Sequence, residues 1–335
     1  MNIYPLVRPL LFSMSPETAH SLALAGLRAQ TILSSKHVAP PTKKSVTVAG
    51  IKFNNPVGLA AGLDKNADYL DALGTLGFGF IEVGTVTPRP QPGNPKPRMF
   101  RLTDKQAIIN RLGFNNKGVE YLVDRVKQRR YTGVLGINIG KNKETSESKA
   151  LDDYLTCLKA VYPYADYITA NVSSPNTEGL RALQHGDLLR NLVAGLQAEQ
   201  VRLAQQHDKQ VPLFIKIAPD LNDSEVVQMA EIFNQLKIDG LIATNTTLDR
   251  SEIEQHTHAS ETGGLSGAPL LERANDRMSL FRQHLDKSIA VIGVGGVSEP
   301  QDVVAKFNQG ADLVQLYSGL VFNGPQLVID SINHL

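Results

Sequence analysis

The sequence predicts an α/β protein: a (β/α)8 barrel, the TIM barrel, preceded by a small N-terminal helical module at residues 1–40. Two observations predict the barrel. Eight short apolar runs alternate with helical stretches between residues 45 and 335, a pattern typical of parallel strands covered on both faces. In addition, the fingerprint of an open dinucleotide-binding sheet is missing, because Ser298 stands where the third glycine of GVGGVS (293–298) would fall. An open doubly wound sheet is the alternative.

Each predicted strand is rich in β-branched residues and ends in a small or polar residue. The eight runs are VGLAA (57–61), FIEVGT (80–85), VLGINIG (134–140), YITANV (167–172), LFIKIA (213–218), GLIATN (240–245), AVIGVGG (290–296) and DLVQLYS (312–318). A hairpin is expected before them at residues 45–53. Two connections, 86–115 and 246–270, are longer than a barrel needs, and loops after strand C-termini are where barrel enzymes carry their chemistry.

The first 40 residues predict two short helices. The second begins at Ser15-Pro16-Glu17, where a capping residue precedes a proline whose missing N–H costs nothing. A proline-containing linker is expected at residues 37–44. Residues 1–45 hold five basic side chains against Glu17 alone, a net charge of +4. This module is either an arm packed on the barrel or a docking element for a membrane surface.

Composition excludes several classes of protein. The 335 residues include 42% apolar and 20% charged side chains and carry a net charge of +1, which disfavours a basic nucleic-acid-binding protein. A single cysteine, Cys157, excludes an intramolecular disulfide framework and a cysteine-rich metal site. No apolar run approaches the ~20 residues that a membrane-spanning helix needs. No signal peptide is expected, because Pro5, Arg8 and Pro9 interrupt the N-terminal apolar stretch.

Polar side chains recur where the predicted strands end, and such residues meet on one rim of a barrel. They are Lys65, Thr85, Asn138, Asn171, Lys216, Thr244 with Asn245, Gly295-Gly296 and Tyr317-Ser318. No metal site is expected, because HExxH and clusters of histidine with carboxylates are missing. Amide groups with two lysines suit a flat, anionic ligand, and the glycines suit a phosphate. FMN meets both requirements.

Ten segments, in order, carry a resemblance to a known family. They are NPVGLAAGLDKN (55–66), EVGTVTPRPQPGNPKPR (82–98), INRLGFNN (109–116), GINIGKNK (136–143), NVSSPNT (171–177), KIAPDL (216–221), ATNTT (243–247), GGLSG (263–267), IGVGG (292–296) and QLYSG (315–319). Through these segments the chain resembles the quinone-dependent, class 2 dihydroorotate dehydrogenases over essentially its whole length.

The resemblance implies oxidation of dihydroorotate to orotate in pyrimidine biosynthesis, with FMN as the first electron acceptor and a membrane quinone as the second. It places the catalytic base at Ser174, with Thr177 as a proton relay and Lys65 stabilising charge. Class 1 relatives carry cysteine at the base position, whereas Cys157 of this chain lies elsewhere. The alternative for Ser174 is a purely turn-forming role.

Substrate and cofactor residues follow from the same resemblance. The implied substrate contacts are Lys65, Asn110, Arg111, Leu112, Gly113, Phe114, Asn171, Asn176, Asn245 and Thr246. The implied FMN contacts are Ala61, Gly62, Leu63, Asp64, Lys65, Thr85, Asn138, Asn171, Lys216, Thr244, Gly267, Gly296, Tyr317 and Ser318. Lys216 is expected near the flavin ring; the alternative is a Schiff-base lysine, as in barrel aldolases.

The N-terminal module gains an expected role from the resemblance. It would bind the cytoplasmic side of the cell membrane peripherally and admit quinone past His20, Arg101 and Tyr317, while the protein acts as a monomer. A lid is expected at residues 172–184, framed by Pro175 and Gly179. Two alternatives stay open: a tRNA dihydrouridine synthase, for which a basic surface and a catalytic cysteine are expected, and a membrane-surface scaffold that binds no flavin.

Overall fold

The computed structural model describes residues 4–34 and 43–335. The strands of these ranges are β1 (Val46–Val48), β2 (Ile51–Phe53), β3 (Val57–Leu59), β4 (Phe80–Val86), β5 (Met99–Leu102), β6 (Ala107–Asn110), β7 (Val134–Ile139), β8 (Tyr167–Asn171), β9 (Leu213–Ile217), β10 (Gly240–Ala243), β11 (Gly264–Gly267), β12 (Ala290–Val294) and β13 (Leu313–Leu316). The helices are α1 (Tyr4–Phe12), α2 (Pro16–Ser34), α3 (Leu70–Gly74), α4 (Val119–Lys127), α5 (Ala150–Val161), α6 (Gly186–His207), α7 (Asp223–Leu236), α8 (Leu271–His284), α9 (Pro300–Asn308), α10 (Ser318–Asn323) and α11 (Gln326–His334).

Eight strands form a closed parallel barrel in the order β3-β4-β7-β8-β9-β10-β12-β13. Each of the eight predicted apolar runs supplies one of them, and a helix follows each strand before the next begins. Strand residues are buried on both faces, because side chains alternate between the barrel interior and the layer of helices around it. The prediction of a (β/α)8 barrel is confirmed.

The two long connections contain strands that the sequence did not predict. The first carries the hairpin β5–β6 and the second carries β11, and β11 pairs antiparallel with β6 from Gly264↔Asn110 to Gly267↔Ala107. The GLSG sequence of β11 has two glycines and a serine, all with poor strand propensity. Only its pairing with β6 makes it a strand, so local sequence could not reveal it.

Helices α1 and α2 lie against the barrel as a separate layer. Glu17 of α2 forms an ion pair with Arg98, Nη2 to Oε1 at 3.0 Å, and Arg101 donates a hydrogen bond to the carbonyl of Phe12 at 2.9 Å. Several apolar side chains of these helices nevertheless stay exposed, with Leu6 at 78% and Leu33 at 85%. The two predicted helices are present. The expected linker lies outside the described residues, apart from Lys43 and Lys44.

Aromatic rings fill one end of the barrel, and each faces a glycine on the neighbouring strand. The cross-strand pairs are Phe80 with Gly58, Tyr167 with Gly136, and Phe214 with Gly240. A Cβ on any of these glycines would lie within 2.3 Å of the facing ring. Since protein interiors are close-packed, the missing side chain is what lets each ring enter the barrel.

We expect Gly136→Ala to destabilise the protein by about 1–3 kcal/mol, because the new methyl would overlap the buried ring of Tyr167. Urea unfolding measures the change. Gly26→Ala is the matched control, since nothing lies within 4 Å of a Cβ at that helical position. Alanine there should be neutral or stabilise the helix by up to about 1 kcal/mol. Equal unfolding midpoints for the wild type and Gly136→Ala would refute the packing argument.

Candidate active site

A cleft opens at the C-terminal ends of the barrel strands. Most of the residues predicted for substrate, cofactor and catalysis line it together. These are Ala61, Gly62, Lys65, Thr85, Asn110, Leu112, Gly113, Phe114, Asn171, Ser174, Asn176, Lys216, Thr244, Asn245, Thr246, Gly267, Gly296, Tyr317 and Ser318. Some of these side chains are about 250 positions apart in the chain. The rim of the barrel and the three-stranded sheet of β5, β6 and β11 bring them into one space.

Five predicted site residues do not line the cleft. Arg111 turns outward to Glu261, Nη1 to Oε2 at 2.7 Å, and stacks over the ring of Phe100. Asp64 accepts backbone N–H bonds from residues 66, 68 and 69 and so holds the turn before α3. The other three are Leu63, which packs in the core, and the buried side chains of Asn138 and Thr177.

Lys216 projects from β9, and its side chain is buried. Its Nζ donates no hydrogen bond to any residue that the structure describes. Burial lowers the pKa of Lys216 below its ordinary value, and the negative charge of Glu82 opposes that shift. A buried ammonium without a partner costs free energy, so this lysine is suited to an anionic or electron-rich ligand in the cleft.

Lys65 lies in the turn after β3, where its Nζ donates to the carbonyl of Gly62 at 2.8 Å. Burial, followed by the positive charge of Arg98, lowers the pKa of Lys65 to about 8; Asp64 and Glu17 act in the opposite direction. The ammonium is therefore still the main form at neutral pH. It can pair with a carboxylate that enters the cleft.

Ser174 follows β8, and its side chain is 6% exposed. Its Oγ accepts a hydrogen bond from the backbone N–H of Asn176 at 3.2 Å and donates none to a described residue. The Nδ2 of Asn176 donates to the carbonyl of Asn110 at 3.1 Å, which ties this loop to β6. Thr177 Oγ1 is buried and has no partner among the described residues. The Ser174 hydroxyl, which lines the cleft, is thus left for a ligand, whereas the Thr177 hydroxyl lies buried behind it.

Arg181 adds further anchors to the loop expected to be a lid. Arg181 donates to the carbonyls of Ser173 and Thr246 at 3.1 and 3.0 Å and pairs with Asp220 at 2.8 Å. A short 3₁₀ helix, Leu180–Gln184, follows Gly179, whose φ of 68° lies in the left-handed region. Movement of residues 172–184 stays a prediction.

Glycines form the opposite side of the cleft. Gly295 and Gly296 follow β12 with φ values of 113° and 85°, and a Cβ at Gly296 would lie 2.2 Å from the Cα of Leu271. Ser318, in the first turn of α10, bonds to Ser266 across 2.8 Å. First-turn N–H groups have no partner within a helix. This side of the cleft therefore offers backbone donors with no side chains in the way, which fits a phosphate group.

Beneath the cleft lies a buried polar group that the sequence analysis missed. Glu82 of β4 is fully buried and accepts hydrogen bonds from Asn138 at 2.8 Å, Tyr167 at 2.9 Å and Gln315 at 2.7 Å. The sequence did contain a signal for this buried group, because Glu82 is a charged residue in the middle of the otherwise apolar run FIEVGT. Charged residues are almost never fully buried unless they are paired.

A second, larger cavity lies between helices α1 and α2 and the barrel, and its walls are mostly apolar. The three residues predicted to contact quinone, His20, Arg101 and Tyr317, all line it. Burial, then the charge of Lys65, lowers the pKa of His20 to about 4, so its ring is neutral at physiological pH. Tyr317 lines both cavities, which therefore share one wall.

Two further findings concern metals and membranes. Within residues 4–34 and 43–335, no three His, Cys, Asp or Glu side chains are grouped so that they could hold a metal ion. No helix in the same ranges combines the length and the hydropathy needed to cross a bilayer.

Comparison with known proteins points to one family. The sequence profile of the family described as dihydroorotate dehydrogenase matches residues 44–335. A protein named dihydroorotate dehydrogenase (quinone) from Saccharophagus degradans is 52% identical over 334 residues, which cover 98% of each chain. One of the same name from Chromobacterium violaceum is 53% identical over 328 residues, covering 97% of this chain and 95% of the relative.

A solved structure agrees with the sequence relatives. The crystal structure of DHODH in complex with ferulenol from Eimeria tenella superimposes with a TM-score of 0.89 at 37% identity, covering 98% of this chain and 93% of that one. The profile match covers more than half of the chain, and the relatives match it over nearly their full length. This chain belongs to the dihydroorotate dehydrogenase family.

Proposed function

We propose that this chain is a quinone-dependent dihydroorotate dehydrogenase of de novo pyrimidine biosynthesis, which oxidises dihydroorotate to orotate with FMN and a membrane quinone as successive acceptors. One observation carries the proposal. A polar cleft that gathers Lys65, Ser174 and Lys216 shares the wall of Tyr317 with a large apolar cavity. A polar substrate and an apolar one can thus occupy separate spaces on either side of one barrier. The names of the relatives support the same reaction.

The residues of the cleft fit FMN. Lys216 offers a buried ammonium that donates no hydrogen bond within the described part of the chain, and the Gly295-Gly296 turn offers a surface without side chains. When bound, FMN accepts the hydride that leaves the substrate and passes the electrons on to quinone. The proposed FMN contacts that line the cleft are Ala61, Gly62, Lys65, Thr85, Asn171, Lys216, Thr244, Gly267, Gly296, Tyr317 and Ser318; Asn138 supports Thr85 from below.

Lys65 and the asparagines are proposed to hold the substrate. The Lys65 ammonium would pair with the carboxylate of dihydroorotate, and amide groups would bond the ring N–H and C=O groups. The proposed contacts in the cleft are Asn110, Leu112, Gly113, Phe114, Asn171, Asn176, Asn245 and Thr246. For Arg111 we propose an indirect role, because its guanidinium lies on Glu261 and Phe100.

Ser174 is proposed to take the proton that leaves the substrate carbon next to the carbon that loses the hydride. Its hydroxyl has no base among its hydrogen-bond partners in the described residues, so activation must come from the cleft itself. The buried Thr177 Oγ1 has an unused donor and acceptor, which would suit passing the proton on through a water.

Residues 1–40 are proposed to form a module that docks on the cytoplasmic face of the cell membrane, with residues 45–335 as the FMN-binding barrel and a single chain as the working unit. Exposed Leu6, Leu10 and Leu33 offer an apolar surface, and Arg8 and Arg28 offer charge to anionic headgroups. Such attraction is worth only about 1 kcal/mol per basic residue, so contact would be peripheral and reversible. Quinone would then reach His20, Arg101 and Tyr317 from the lipid.

The purified holoenzyme should lose its visible flavin absorbance when dihydroorotate is added anaerobically and regain it with a short-chain ubiquinone. Dihydrouracil is the matched control, because it lacks the carboxylate that Lys65 would bind; we expect it to bleach the flavin far more slowly. Stopped-flow absorbance measures both steps. A chain that takes up no FMN, or one that dihydrouracil reduces equally fast, would refute the proposal.

Ser174→Ala should retain FMN but slow flavin reduction by about 10²–10⁴-fold, the usual contribution of a general base. Single-turnover reduction by dihydroorotate gives the rate, and the absorbance spectrum gives the flavin content. Ser148→Ala, in an exposed 3₁₀ turn, is the control and should match the wild type. Near-normal reduction in Ser174→Ala would remove this serine from the role of base.

Deleting residues 1–40 should abolish flavin reoxidation by ubiquinone while leaving reduction by dihydroorotate measurable, because the deletion removes one wall of the apolar cavity. Reoxidation by ferricyanide, a small water-soluble oxidant, serves as the control and should persist. Thermal unfolding checks that the barrel remains folded. Undiminished reoxidation by ubiquinone would contradict the proposed quinone site.

A further inference from the structure

Two residues with positive φ lie in the wall of the cleft, in the loop between β6 and α4. Gly113 and Phe114 have φ values of 69° and 52°, and both line the cleft. Glycine reaches this left-handed region freely, whereas phenylalanine avoids it because its Cβ comes too close to the following carbonyl oxygen. Contacts from outside this pair must therefore hold Phe114 in its conformation.

The side-chain amide of Gln91 provides such a contact. Its Nε2 donates to the carbonyl of Gly113 at 3.0 Å and to the carbonyl of Phe114 at 3.2 Å. The Phe114 carbonyl has a second donor, Asn116 Nδ2 at 2.7 Å. The Gly113 carbonyl accepts from no other residue in the described part of the chain. The peptide group between Gly113 and Phe114 therefore depends on Gln91.

Two backbone groups fix the direction of the Gln91 amide. The backbone N–H of Lys143 can only donate, and it lies 3.0 Å from Gln91 Oε1. The carbonyl of Gly113 can only accept, so it must face Nε2. The backbone of Gln91 is held as well, because it exchanges two hydrogen bonds of 3.0 Å with the backbone of Asn116. The amide therefore cannot turn round without losing bonds at both ends.

The contact with Gln91 decides which side of this peptide group meets the cleft. In a planar trans peptide the C=O and N–H bonds point in opposite directions. The Gly113 carbonyl points to Gln91, which does not line the cleft, so the N–H of Phe114 points away from Gln91. This N–H donates to no residue that the structure describes. It is therefore left to donate to a ligand in the cleft.

A peptide group turned over by half a rotation is the competing arrangement. The turn would change the φ of Phe114 to a negative value, which phenylalanine prefers, and glycine at position 113 tolerates the matching change in ψ. The Gly113 carbonyl would then face the cleft, an acceptor where carboxylate and carbonyl oxygens of a substrate need a donor. Gln91 opposes this turn, because the turn would remove the Gly113 carbonyl from its Nε2.

We propose that Gln91 is a positioning residue for the substrate: its side chain keeps the peptide between Gly113 and Phe114 turned so that the Phe114 N–H donates to a substrate oxygen. This inference rests on the proposed function. Gln91 does not line the cleft and acts only through this peptide. Within the long connection 86–115, the first part thus shapes the part that meets the substrate.

Two variants of the holoenzyme test this role. Gln91→Met keeps the length of the side chain but removes its donor and its acceptor, whereas Gln91→Glu keeps an acceptor for Lys143 and loses the donor. In both we expect the Kd of orotate and the KM of dihydroorotate to rise about tenfold or more, because the turned peptide withdraws a donor from the cleft.

The same variants separate positioning from a general loss of structure. Flavin reduction at saturating dihydroorotate should stay within about threefold of the wild type, because substrate and transition state would lose the same hydrogen bond. FMN content and the rate of reoxidation by ubiquinone should be unchanged. Orotate affinity within about twofold of the wild type in both variants would overturn the inference. So would an FMN content that falls in parallel with the affinity for orotate.

Gln228→Met is the matched control, because Gln228 is exposed on α7 and its side chain reaches only Ser224. Its affinity for orotate should equal that of the wild type. A loss as large as that of Gln91→Met would contradict the proposed role.

Should neither Gln91 variant fold, hydrogen exchange in the wild-type holoenzyme decides. Saturating orotate should slow exchange of the Phe114 amide about tenfold or more, because the bound substrate accepts its hydrogen bond. Residue-resolved mass spectrometry measures the rate. The amide of Asn116, already bonded to the Gln91 carbonyl at 3.0 Å, is the control and should not change. Unchanged exchange at Phe114 overturns the inference. A wild-type chain that binds no orotate would instead refute the proposed function.

Discussion

The parallel pairing of β13 with β3, from Val314↔Val57 to Leu316↔Leu59, is the constraint on which the site depends, because it closes the barrel. Lys65 follows β3, and Lys216 lies on β9, four strands further along the sheet. In an open sheet four strand spacings would separate these two positions by about 19 Å. Closure lets them face each other across one interior, where both line the same cleft. The two ammonium groups can then act on a single ligand.

Placing charge inside this interior requires compensation. Two lysines and a carboxylate lie in or beneath the cleft, and burial lowers the pKa of both lysines. Hydrogen-bond donors surround the carboxylate of Glu82, while the Nζ of Lys216 donates no hydrogen bond to a residue within 4–34 or 43–335. The carboxylate of Glu82 therefore has its hydrogen bonds without a ligand, whereas the ammonium of Lys216 gains a partner only when a ligand binds. The second cavity has mostly apolar walls, as an apolar reactant needs, and Tyr317 lines both cavities.

Much of this arrangement follows from sequence pattern. Apolar periodicity predicted the eight barrel strands, and polar residues at their ends predicted one shared cleft. The pattern could not predict β11, whose GLSG sequence becomes a strand only by pairing with β6. Nor could it show that Arg111 turns to Glu261, because a side chain's direction depends on partners 150 residues away. Motif matching likewise passed over Glu82, since a carboxylate within a strand gives no local sign of the donors that meet it.

Sequence pattern was enough to predict the order of the barrel strands and helices, the family, and which residue types reach the rim of the barrel, because these depend on short-range periodicity and on motifs contiguous in the chain. Only the folded structure shows which side chains share the cleft, where each amide points, and which donors meet the carboxylate of Glu82. Hydrogen-bond direction is set by the groups that meet in space, and here those groups come from β4, β7, β8, β13 and the loops after β8 and β10.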